Sequence, residues 1–341
     1  MTEVKAGARE APSCSMPPDS VTDIETGAAA SRMIREQFCV EADYAGLRID
    51  KFLSLIYTDH SRNYFQKLIS DGFVKIGDVS CKNSTKVKAE DIITVQIPPE
   101  EAPCVCAEDI PLDILYEDAD LLIVNKPKGM VVHPAPGHIS GTLVNAVLYH
   151  CQGELSGING VLRPGIVHRI DKDTTGSLIV CKNDAAHRHV AEQIRVHSVT
   201  RIYRGFIDGI MKQTEGTVDL PVARHPADRK KMAVVNGGRH AVTHYKVLET
   251  YPVYRASLAE FRLETGRTHQ IRVHMAHLGH PLLGDPLYGS GKNPYHLEGQ
   301  ALHAMTIGLI HPGTGEYLEV SAPYPADFEK LLRIFADDVH K

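Results

Sequence analysis

The sequence predicts an α+β protein, with a large domain on a mixed, mainly antiparallel sheet, preceded by a small α/β module. Three observations lead to this prediction. A chain of 341 residues, 43% of them apolar, is long enough for about two domains. Most strand-like runs are joined by hairpin-length connections, with too few helices between them for a regular βαβ repeat. A stretch rich in acids and prolines separates the two parts.

These features divide the chain into five segments. Residues 1–35 are rich in Ala, Ser, Pro, Gly and acids and show no periodicity, so we expect a disordered tail. The small module spans residues 36–97, the acidic linker 98–120 and the large domain 121–330, and a C-terminal end follows at 331–341.

Apolar periodicity predicts the elements of the small module. Helical spacing marks a first helix, and a second helix begins after Ser61, a good N-cap, and stops at Gly72. The apolar positions of the two helices are Ile49, Phe52, Leu53 and Ile56, then Tyr64, Phe65, Leu68 and Ile69. Strands are predicted at Phe73–Ile76 and Ile92–Ile97, with a turn at Gly77-Asp78.

The large domain is predicted to contain many strands and few helices. Asn183 or Asp184 caps a helix that runs to about Val196, and another helix spans Thr268–Leu278. The predicted strands are Leu121–Asn125, Gly165–Ile170, Gly176–Lys182, Val199–Asp208, Ala241–Leu248, Arg255–Glu264, Ala301–Ile310 and Tyr317–Ser321.

The net charge of −5 hides an uneven distribution, because the acidity is confined to the tail and the linker. Residues 98–124 hold eight acids and no Lys or Arg, whereas six bases and two acids lie between Ser61 and Lys88. A basic face of this kind suits contacts with nucleic-acid phosphates, and an ordinary solvated lysine face is the alternative. The candidate RNA-binding residues of the module are Arg62, Lys67, Lys75, Lys86 and Lys88.

The sequence disfavours several classes of function. No apolar stretch approaches the ~20 residues of a membrane helix, and the N-terminus lacks the pattern of a secretory signal. The seven cysteines are scattered, as is typical of reduced thiols, so we expect a cytoplasmic protein that does not bind membranes. Since neither a Walker A motif nor a dinucleotide fingerprint occurs, we expect no nucleotide cofactor.

The densest charged motif, HRIDKDTTG, begins at His168 and lies between two apolar runs, at a strand end or in the loop that joins two strands. Asp171 would face a cleft there, with Arg169 on the same face of the strand. An adjacent arginine keeps a carboxylate ionised, as a carboxylate nucleophile requires. A structural salt bridge at a hairpin end is the alternative interpretation.

A second dense motif reads GRTHQIRVHMAHLGHPLLGDPLYG. Thr268 is a candidate N-cap for a helix that carries Arg267, Gln270 and Arg272 near its start, where donors suit an anion. Either arginine is a candidate partner for Asp171 or for RNA, and a surface helix with solvated arginines is the alternative.

This stretch contains four histidines that could bind a metal: His269, His274, His277 and His280. We do not favour a metal site, because the sequence has neither HExxH spacing nor a nearby cysteine pair. Tyr203 shares a strand face with Arg201. A lone tyrosine is more often a core residue, but beside a carboxylate cleft it is a candidate for stacking on a base.

Together these motifs resemble those of the pseudouridine synthases that act on large-subunit ribosomal RNA, the RluA/RluD family. HRIDKDTTG resembles the catalytic motif of that family, with Ile170 where Leu is usual. LLIVNKPKGMVVHPAPG, RIYRGFIDG and the second dense motif resemble three further motifs, in the same order. Residues 45–97 resemble the alpha-L RNA-binding motif, and its fusion to a catalytic domain is the D-type arrangement. The resemblance covers residues 45–325.

The resemblance implies a pseudouridine synthase fold and a set of roles. Asp171 would be the catalytic aspartate, Tyr203 would stack on the target base and help remove the proton at carbon-5, and Arg272 would pair with the aspartate. RNA contacts are expected from four further residues: His168, Arg169, Arg267 and Gln270. The expected partner is large-subunit ribosomal RNA, free or in pre-ribosomal particles. We expect a monomer that uses no cofactor and no metal.

Two rival functions use the same residues. A non-catalytic RNA-binding factor for ribosome assembly would be expected to lose the aspartate, and Asp171 is present. A glycosidase or nucleosidase would need a second acid, for which Asp173 is a candidate, but it leaves the basic module without a function. The target uridines, the choice between ribosomal and transfer RNA, and the choice between a covalent and a glycal route do not follow from the sequence.

Overall fold

The chain separates into two compact units, Met1–Ala102 and Pro103–Lys341. The structure is a computed structural model that describes residues 33–98, 105–135, 138–160 and 162–336. The tail predicted for residues 1–35 therefore lies outside the described residues except at its end, where the first strand begins. None of the described helices is long and apolar enough to cross a membrane.

The elements of the N-terminal unit are β1 (Ile34–Cys39), α1 (Ile49–Ile56), α2 (Arg62–Ser70), β2 (Val74–Ile76), β3 (Val79–Ser80) and β4 (Ile92–Ile97). The strands form an antiparallel sheet of order β1-β4-β2-β3, and the apolar faces of both helices share one core with it. Ser61 caps α2 by accepting the N–H of Tyr64, and Gly72 follows the helix at φ +82°. Both predicted helix boundaries are confirmed.

The C-terminal unit is built on a nine-stranded sheet of order β5-β6-β7-β14-β8-β13-β12-β9, with β15 paired to β14, and a two-stranded hairpin β10-β11. Its elements are β5 (Ile114–Glu117), β6 (Leu121–Lys126), α3 (Leu143–His150), β7 (Thr175–Cys181), α4 (Asp184–Arg195), β8 (Thr200–Asp208), β9 (Glu215–Asp219), β10 (Val222–Arg224), β11 (Met232–Val234), β12 (Val242–Tyr251), β13 (Ala256–Leu263), α5 (Gln270–His277), β14 (Leu302–Ile310), β15 (Tyr317–Ser321) and α6 (Ala326–Ala336). Among the described strands β7 and β14 form the one parallel pair, so the predicted mixed, mainly antiparallel sheet is confirmed.

The middle parts of β6 and β7 are apolar at consecutive positions because both faces of the sheet are covered there. Leu122 and Leu178 point into one core, while their neighbours Leu121 and Ile179 point into the core on the other face, which includes Val190 of α4. Side chains alternate between the two faces of a strand, so a segment covered on both faces is apolar wherever its side chains have no polar partner.

The strand predicted at Gly165–Ile170 is not formed. The segment makes a single bridge, between Ile166 and Val180, and otherwise runs irregularly alongside β7. Pro164 has no N–H to donate, and Gly165 has φ +70° with its Cα so close to β7 that a Cβ would lie 2.7 Å from the Cys181 carbonyl oxygen. The charged motif that follows is therefore a loop leading into β7.

The predicted segment boundaries at residues 98–120 and 330 also differ from the structure. Residues 105–120 belong to the C-terminal unit, and β5 pairs with β6 although acids surround it. Leu112 packs against the main core, and Asn145 donates to the Cys106 carbonyl oxygen at 2.7 Å. At the other end α6 continues to Ala336, because Leu331 and Phe335 complete its buried face.

Candidate active site

The loop before β7, the middle of β8 and the start of α5 surround a cavity of about 560 Å³. Among the described residues that line it, Asp171 is the one acid. The same lining contains six arginines: Arg163, Arg169, Arg195, Arg201, Arg267 and Arg272. An excess of cations around one carboxylate favours a polyanionic ligand that presents a neutral part to the carboxylate.

Asp171 contacts a guanidinium from a distant part of the chain. Arg272 donates from Nη1 to Asp171 Oδ2 at 3.0 Å, and the two side chains are 5% and 16% exposed. The pair joins residues on α5 and on the loop before β7, and both line the cavity. The charge-assisted hydrogen bond fixes the position of the Asp171 carboxylate oxygen Oδ2 at the cavity wall.

Arg272 is itself held by a second carboxylate, which the sequence interpretation missed. Asp285, whose side chain is fully buried, accepts from Arg272 Nε at 2.7 Å and from Nη2 at 2.9 Å. It also accepts the backbone N–H groups of Leu287 and Tyr288. Although burial opposes its ionisation, the charges and hydrogen bonds of Asp285 and Asp171 raise the pKa of Arg272. The guanidinium therefore stays charged, with Nη1 aimed at Asp171.

His269 approaches the other carboxylate oxygen. Its Nε2 lies 3.9 Å from Asp171 Oδ1, and its Nδ1 lies 2.8 Å from the hydroxyl of Tyr288. The Tyr288 ring lies 5.1 Å from the Arg272 guanidinium carbon. His269 is the N-cap of α5 and has a left-handed backbone, φ +56°. The predicted N-cap, Thr268, is wrong by one residue.

A buried lysine fixes the loop that carries Asp171. Lys126 Nζ donates to three carbonyl oxygens: those of Pro127 at 2.7 Å, Met130 at 2.9 Å and Lys172 at 2.9 Å. The lysine is fully buried, and burial lowers its pKa to about 7. Lys172 directly follows Asp171, so this contact sets the path of the backbone at the carboxylate. The signal in the sequence was a lysine at the end of the apolar run of β6.

Tyr203 lies in the middle of β8, opposite Phe261 on one side and Ala304 on the other. It is 8% exposed and contributes its side chain to the cavity. Burial raises the pKa of Tyr203, so its hydroxyl is protonated at neutral pH. An aromatic ring and a carboxylate in one cavity suit a planar base attached to a sugar.

Comparison with known proteins connects this geometry with a reaction. The family model for RNA pseudouridylate synthase matches residues 120–277, and the S4 domain model matches residues 47–93. An uncharacterized RNA pseudouridine synthase of Bacillus subtilis (strain 168), YlyB, is 51% identical over 84% of this chain and 93% of its own length. The chain belongs to the RNA pseudouridylate synthase family. It is an RNA pseudouridine synthase, an isomerase with an N-terminal S4 domain.

Other relatives agree with this assignment. The ribosomal large subunit pseudouridine synthase D of Zymomonas mobilis is 48% identical over 89% of this chain and 98% of its own length. Among solved structures, human RNA pseudouridylate synthase domain containing 1 has a TM-score of 0.52 and 27% identity, covering 64% of this chain and 86% of that one.

The cavity of the synthase collects all seven of the predicted site residues in the C-terminal unit: Asp171, Tyr203, Arg272, Arg169, His168, Arg267 and Gln270. Arg169 is exposed at the cavity, and Arg267 donates from Nε to the His240 carbonyl oxygen at 2.9 Å. Both guanidinium groups remain suited to phosphate. Their roles in RNA binding stay predictions.

Two residues predicted to bind RNA have structural partners instead. His168 Nε2 accepts the N–H of Ile179 on β7 at 2.9 Å, and burial together with the charge of Arg201 lowers the pKa of His168 to about 3. The ring is therefore uncharged at neutral pH, and its hydrogen bond joins the loop to β7.

Gln270 has no hydrogen-bonding capacity to spare. Its Oε1 accepts from the Thr265 hydroxyl and the Arg267 N–H, and its Nε2 donates to Val242 and Thr243. A glutamine amide offers two donors and two lone pairs, and all four are used. The side chain closes the first turn of α5 and ties it to β12.

The RNA-binding residues predicted in the S4 domain differ in their partners. Arg62 donates to the fully buried carboxylate of Asp50, together with Arg48 and Gln66. Burial opposes the ionisation of Asp50, but these hydrogen bonds outweigh it and lower its pKa. Four other candidates are exposed and have no ion pair within the described ranges: Lys67, Lys75, Lys86 and Lys88.

The histidines of the second dense motif do not converge. His269 contacts Tyr288, and the fully buried His274 contacts Thr243 and the Leu220 carbonyl oxygen. In the part of the chain that the structure describes, no group of three or more His, Cys, Asp or Glu residues is arranged to hold a metal ion.

Proposed function

We propose that this synthase converts uridine to pseudouridine in large-subunit ribosomal RNA, with Asp171 as the group that attacks the nucleotide. The observation that carries the proposal is the single carboxylate in an arginine-lined cavity, paired with a buried guanidinium. Relatives named ribosomal large subunit pseudouridine synthase D support the choice of RNA, and this chain matches two of them over 98% of their length. The exposed lysines of the S4 domain would add phosphate contacts that carry no sequence choice.

In the proposed reaction the target uridine leaves its stack and enters the cavity, at a cost of a few kcal/mol. Stacking on Tyr203 would offset about 1–3 kcal/mol of this cost, and the arginines would hold the flanking phosphates. Asp171 then either bonds to carbon-1′ of the ribose or takes the carbon-2′ proton to give a glycal. In both routes the bond from carbon-1′ to uracil N1 breaks.

The uracil then turns and its carbon-5 bonds to carbon-1′ of the ribose. In the covalent route the bond from Asp171 to carbon-1′ breaks and frees the carboxylate, and in the glycal route Asp171 returns the proton to carbon-2′. The proton at carbon-5 is lost and N1 gains one, so the product is an isomer and no electron carrier is consumed. Because the Tyr203 hydroxyl is protonated, its proposed part in removing this proton is that of a relay and not of a phenolate base. Arg272 would hold Asp171 in place through their 3.0 Å contact until it reacts.

The test is tritium release from large-subunit ribosomal RNA labelled at carbon-5 of uridine. Wild-type protein should release tritium, whereas Asp171→Asn should not, although its affinity for the RNA should be unchanged. Asp173→Asn is the matched control, because it neutralises the neighbouring carboxylate of the same loop and should keep most of the activity. Tritium release by Asp171→Asn would contradict the assignment of the attacking group.

The same assay separates the remaining alternatives. Release from transfer RNA but not from ribosomal RNA would change the proposed substrate, and release only from precursor particles would place the reaction in assembly. Binding without release from any of these RNAs would favour the non-catalytic assembly factor. We also propose a monomer that acts in the cytoplasm. The proposed location rests on the scattered cysteines of the sequence, a pattern typical of reduced thiols.

A further inference from the structure

Among the described residues, one direct side-chain hydrogen bond holds the Asp171 carboxylate, at Oδ2. Arg272 Nη1 contacts Oδ2 at 3.0 Å, and the nearest cationic or ring nitrogen to Oδ1 among the described ion pairs is His269 Nε2 at 3.9 Å. A carboxylate bonded through one oxygen can still rotate about its Cβ–Cγ bond, since that torsion is broad. A donor at Oδ1 would remove this freedom.

The hydrogen bonds of Tyr288 decide which nitrogen of His269 carries the proton. The backbone N–H of Met232 donates to the Tyr288 hydroxyl oxygen at 2.7 Å. The hydroxyl proton is then free to be donated to His269 Nδ1, 2.8 Å away. With the Tyr288 hydroxyl donating in this way, Nδ1 is the acceptor and the proton of the neutral ring sits on Nε2, the nitrogen nearer Asp171.

The surroundings keep this ring neutral. Burial lowers the pKa of His269, and the nearby guanidinium groups of Arg272 and Arg169 act in the same direction, while Asp171 and Asp285 oppose them. A neutral imidazole with its proton on Nε2 can donate to Asp171 without adding a second full charge to a carboxylate that must attack. The left-handed backbone of His269 holds the ring in this place at a cost in strain.

From these contacts we propose that His269 is a positioning residue for Asp171. His269 Nε2 lies 3.9 Å from Oδ1, too far for a hydrogen bond in this structure, and the two atoms would close to hydrogen-bond distance when the nucleotide binds, so that His269 and Arg272 together fix the plane of the attacking carboxylate. Tyr288 selects the tautomer, and its own anchor is the Met232 N–H on β11, which ends the basic hairpin 222–234. The inference rests on the proposed role of Asp171.

The first test measures the tautomer directly and does not depend on activity. Long-range ¹H–¹⁵N correlation spectra of histidine-labelled protein at pH 7 report which ring nitrogen is protonated, and the His269→Gln variant identifies the signal by its loss. We expect a proton on Nε2 alone in the wild type and a mixture of tautomers in Tyr288→Phe. A proton on Nδ1 in the wild type would overturn the proposal.

The second test is the single-turnover rate of tritium release with enzyme in excess over RNA. His269→Ala should lose about tenfold in this rate, the usual effect of one hydrogen bond to a charged group, with RNA affinity unchanged. His269→Gln should recover most of the rate, because its amide places a donor near the position of Nε2. His296→Ala is the matched control, since His296 also has a left-handed backbone, φ +53°, and does not line the cavity.

Each outcome bears on the proposal. A wild-type rate in His269→Ala, a loss confined to RNA affinity, or no recovery in His269→Gln would overturn it. If His269→Ala fails to fold, the comparison of Tyr288→Phe with wild type decides, because that variant keeps the ring against Arg272 and removes only the hydroxyl. Failure of the wild type to release tritium would overturn the proposed function first, and the positioning role with it, whereas the spectra would still report the tautomer.

Discussion

Neutralising Asp285 should damage both the stability of the catalytic domain and its reaction rate. In Asp285→Asn the amide oxygen can replace Oδ1, which accepts from Arg272 Nη2 and from the N–H groups of Leu287 and Tyr288. The amide NH₂ must then replace Oδ2, which accepts from Arg272 Nε at 2.7 Å. Two donors would face each other in a site from which water is excluded.

The magnitude follows from the burial of the pair. Breaking a buried ion pair costs about 3–5 kcal/mol because one charge is left without its partner. Arg272 retains Asp171, so we expect the lower end, about 3 kcal/mol, in the free energy of unfolding of the domain. Arg272 would also turn toward Asp171, and a misplaced guanidinium at a reacting group costs about 100-fold in rate.

Two assays measure these effects. Chemical denaturation followed by circular dichroism gives the free energy of unfolding, with separate transitions fitted for the two units. Single-turnover tritium release gives the rate. The matched control is Glu260→Gln, because the Arg204–Glu260 pair has the same 2.7 Å separation but lies 27% and 29% exposed, and should cost less than about 1 kcal/mol.

A particular pair of results would refute the reasoning. If Asp285→Asn lost no more stability than Glu260→Gln, the buried pair would not be the support that its geometry indicates. If its single-turnover rate equalled that of the wild type, Arg272 would not depend on Asp285 for its orientation. A loss of stability with an unchanged rate would assign Asp285 to folding alone.

Three further predictions concern other parts of the chain. The pKa of His168 is about 3 in the folded protein and near 6.5 in the unfolded chain, so between these pH values only the unfolded chain binds the proton. The free energy of unfolding should therefore fall as pH drops from 6.5 toward 3, by at most about 1.4 kcal/mol per pH unit. In His168→Gln the free energy of unfolding should depend less steeply on pH over this range. Gly176→Ala should lower the free energy of unfolding by more than about 3 kcal/mol, since φ is +109° and a Cβ would lie 2.2 Å from the Ala304 carbonyl oxygen. Gly153→Ala, in open space at φ +91°, should cost about 1 kcal/mol, and equal losses in the two variants would contradict the steric argument. Asp50→Asn should lower the free energy of unfolding of the S4 domain by about 2 kcal/mol and leave the catalytic domain unaffected, and an unchanged first transition would show that its arginine partners are satisfied by solvent.

Much of the local structure could be predicted because its causes are local. The cap at Ser61, the stop at Gly72 and the cap at Asn183 each depend on a few neighbouring residues, and all three appear where the sequence indicates. The strand predicted at Gly165–Ile170 failed for a reason that is not local. Its backbone runs against β7, and the Ile179 N–H that a strand would bond is occupied by the His168 ring.

Three of the elements that the sequence interpretation missed, β5, α3 and α6, share a different cause. Acidic residues surround β5 in the sequence, and α3 and α6 bury their apolar faces only once the sheet has formed. Their stabilisation comes from burial against elements far away in the chain. Periodicity and capping do not reveal such partners.

The sequence by itself determined the α+β class and the order of the two domains, which depend on local patterns, and its resemblance to the family's motifs pointed to Asp171, Tyr203 and Arg272. Only the tertiary structure decided which cation meets the carboxylate, since Arg272 is 101 positions from Asp171. It also decided that Lys126 and Asp285 support the site, and that His168 and Gln270 form hydrogen bonds within the protein, to β7 and to β12. The physical reason is that a buried polar group is defined by its partners, and those partners come together only when the sheet closes around the cavity.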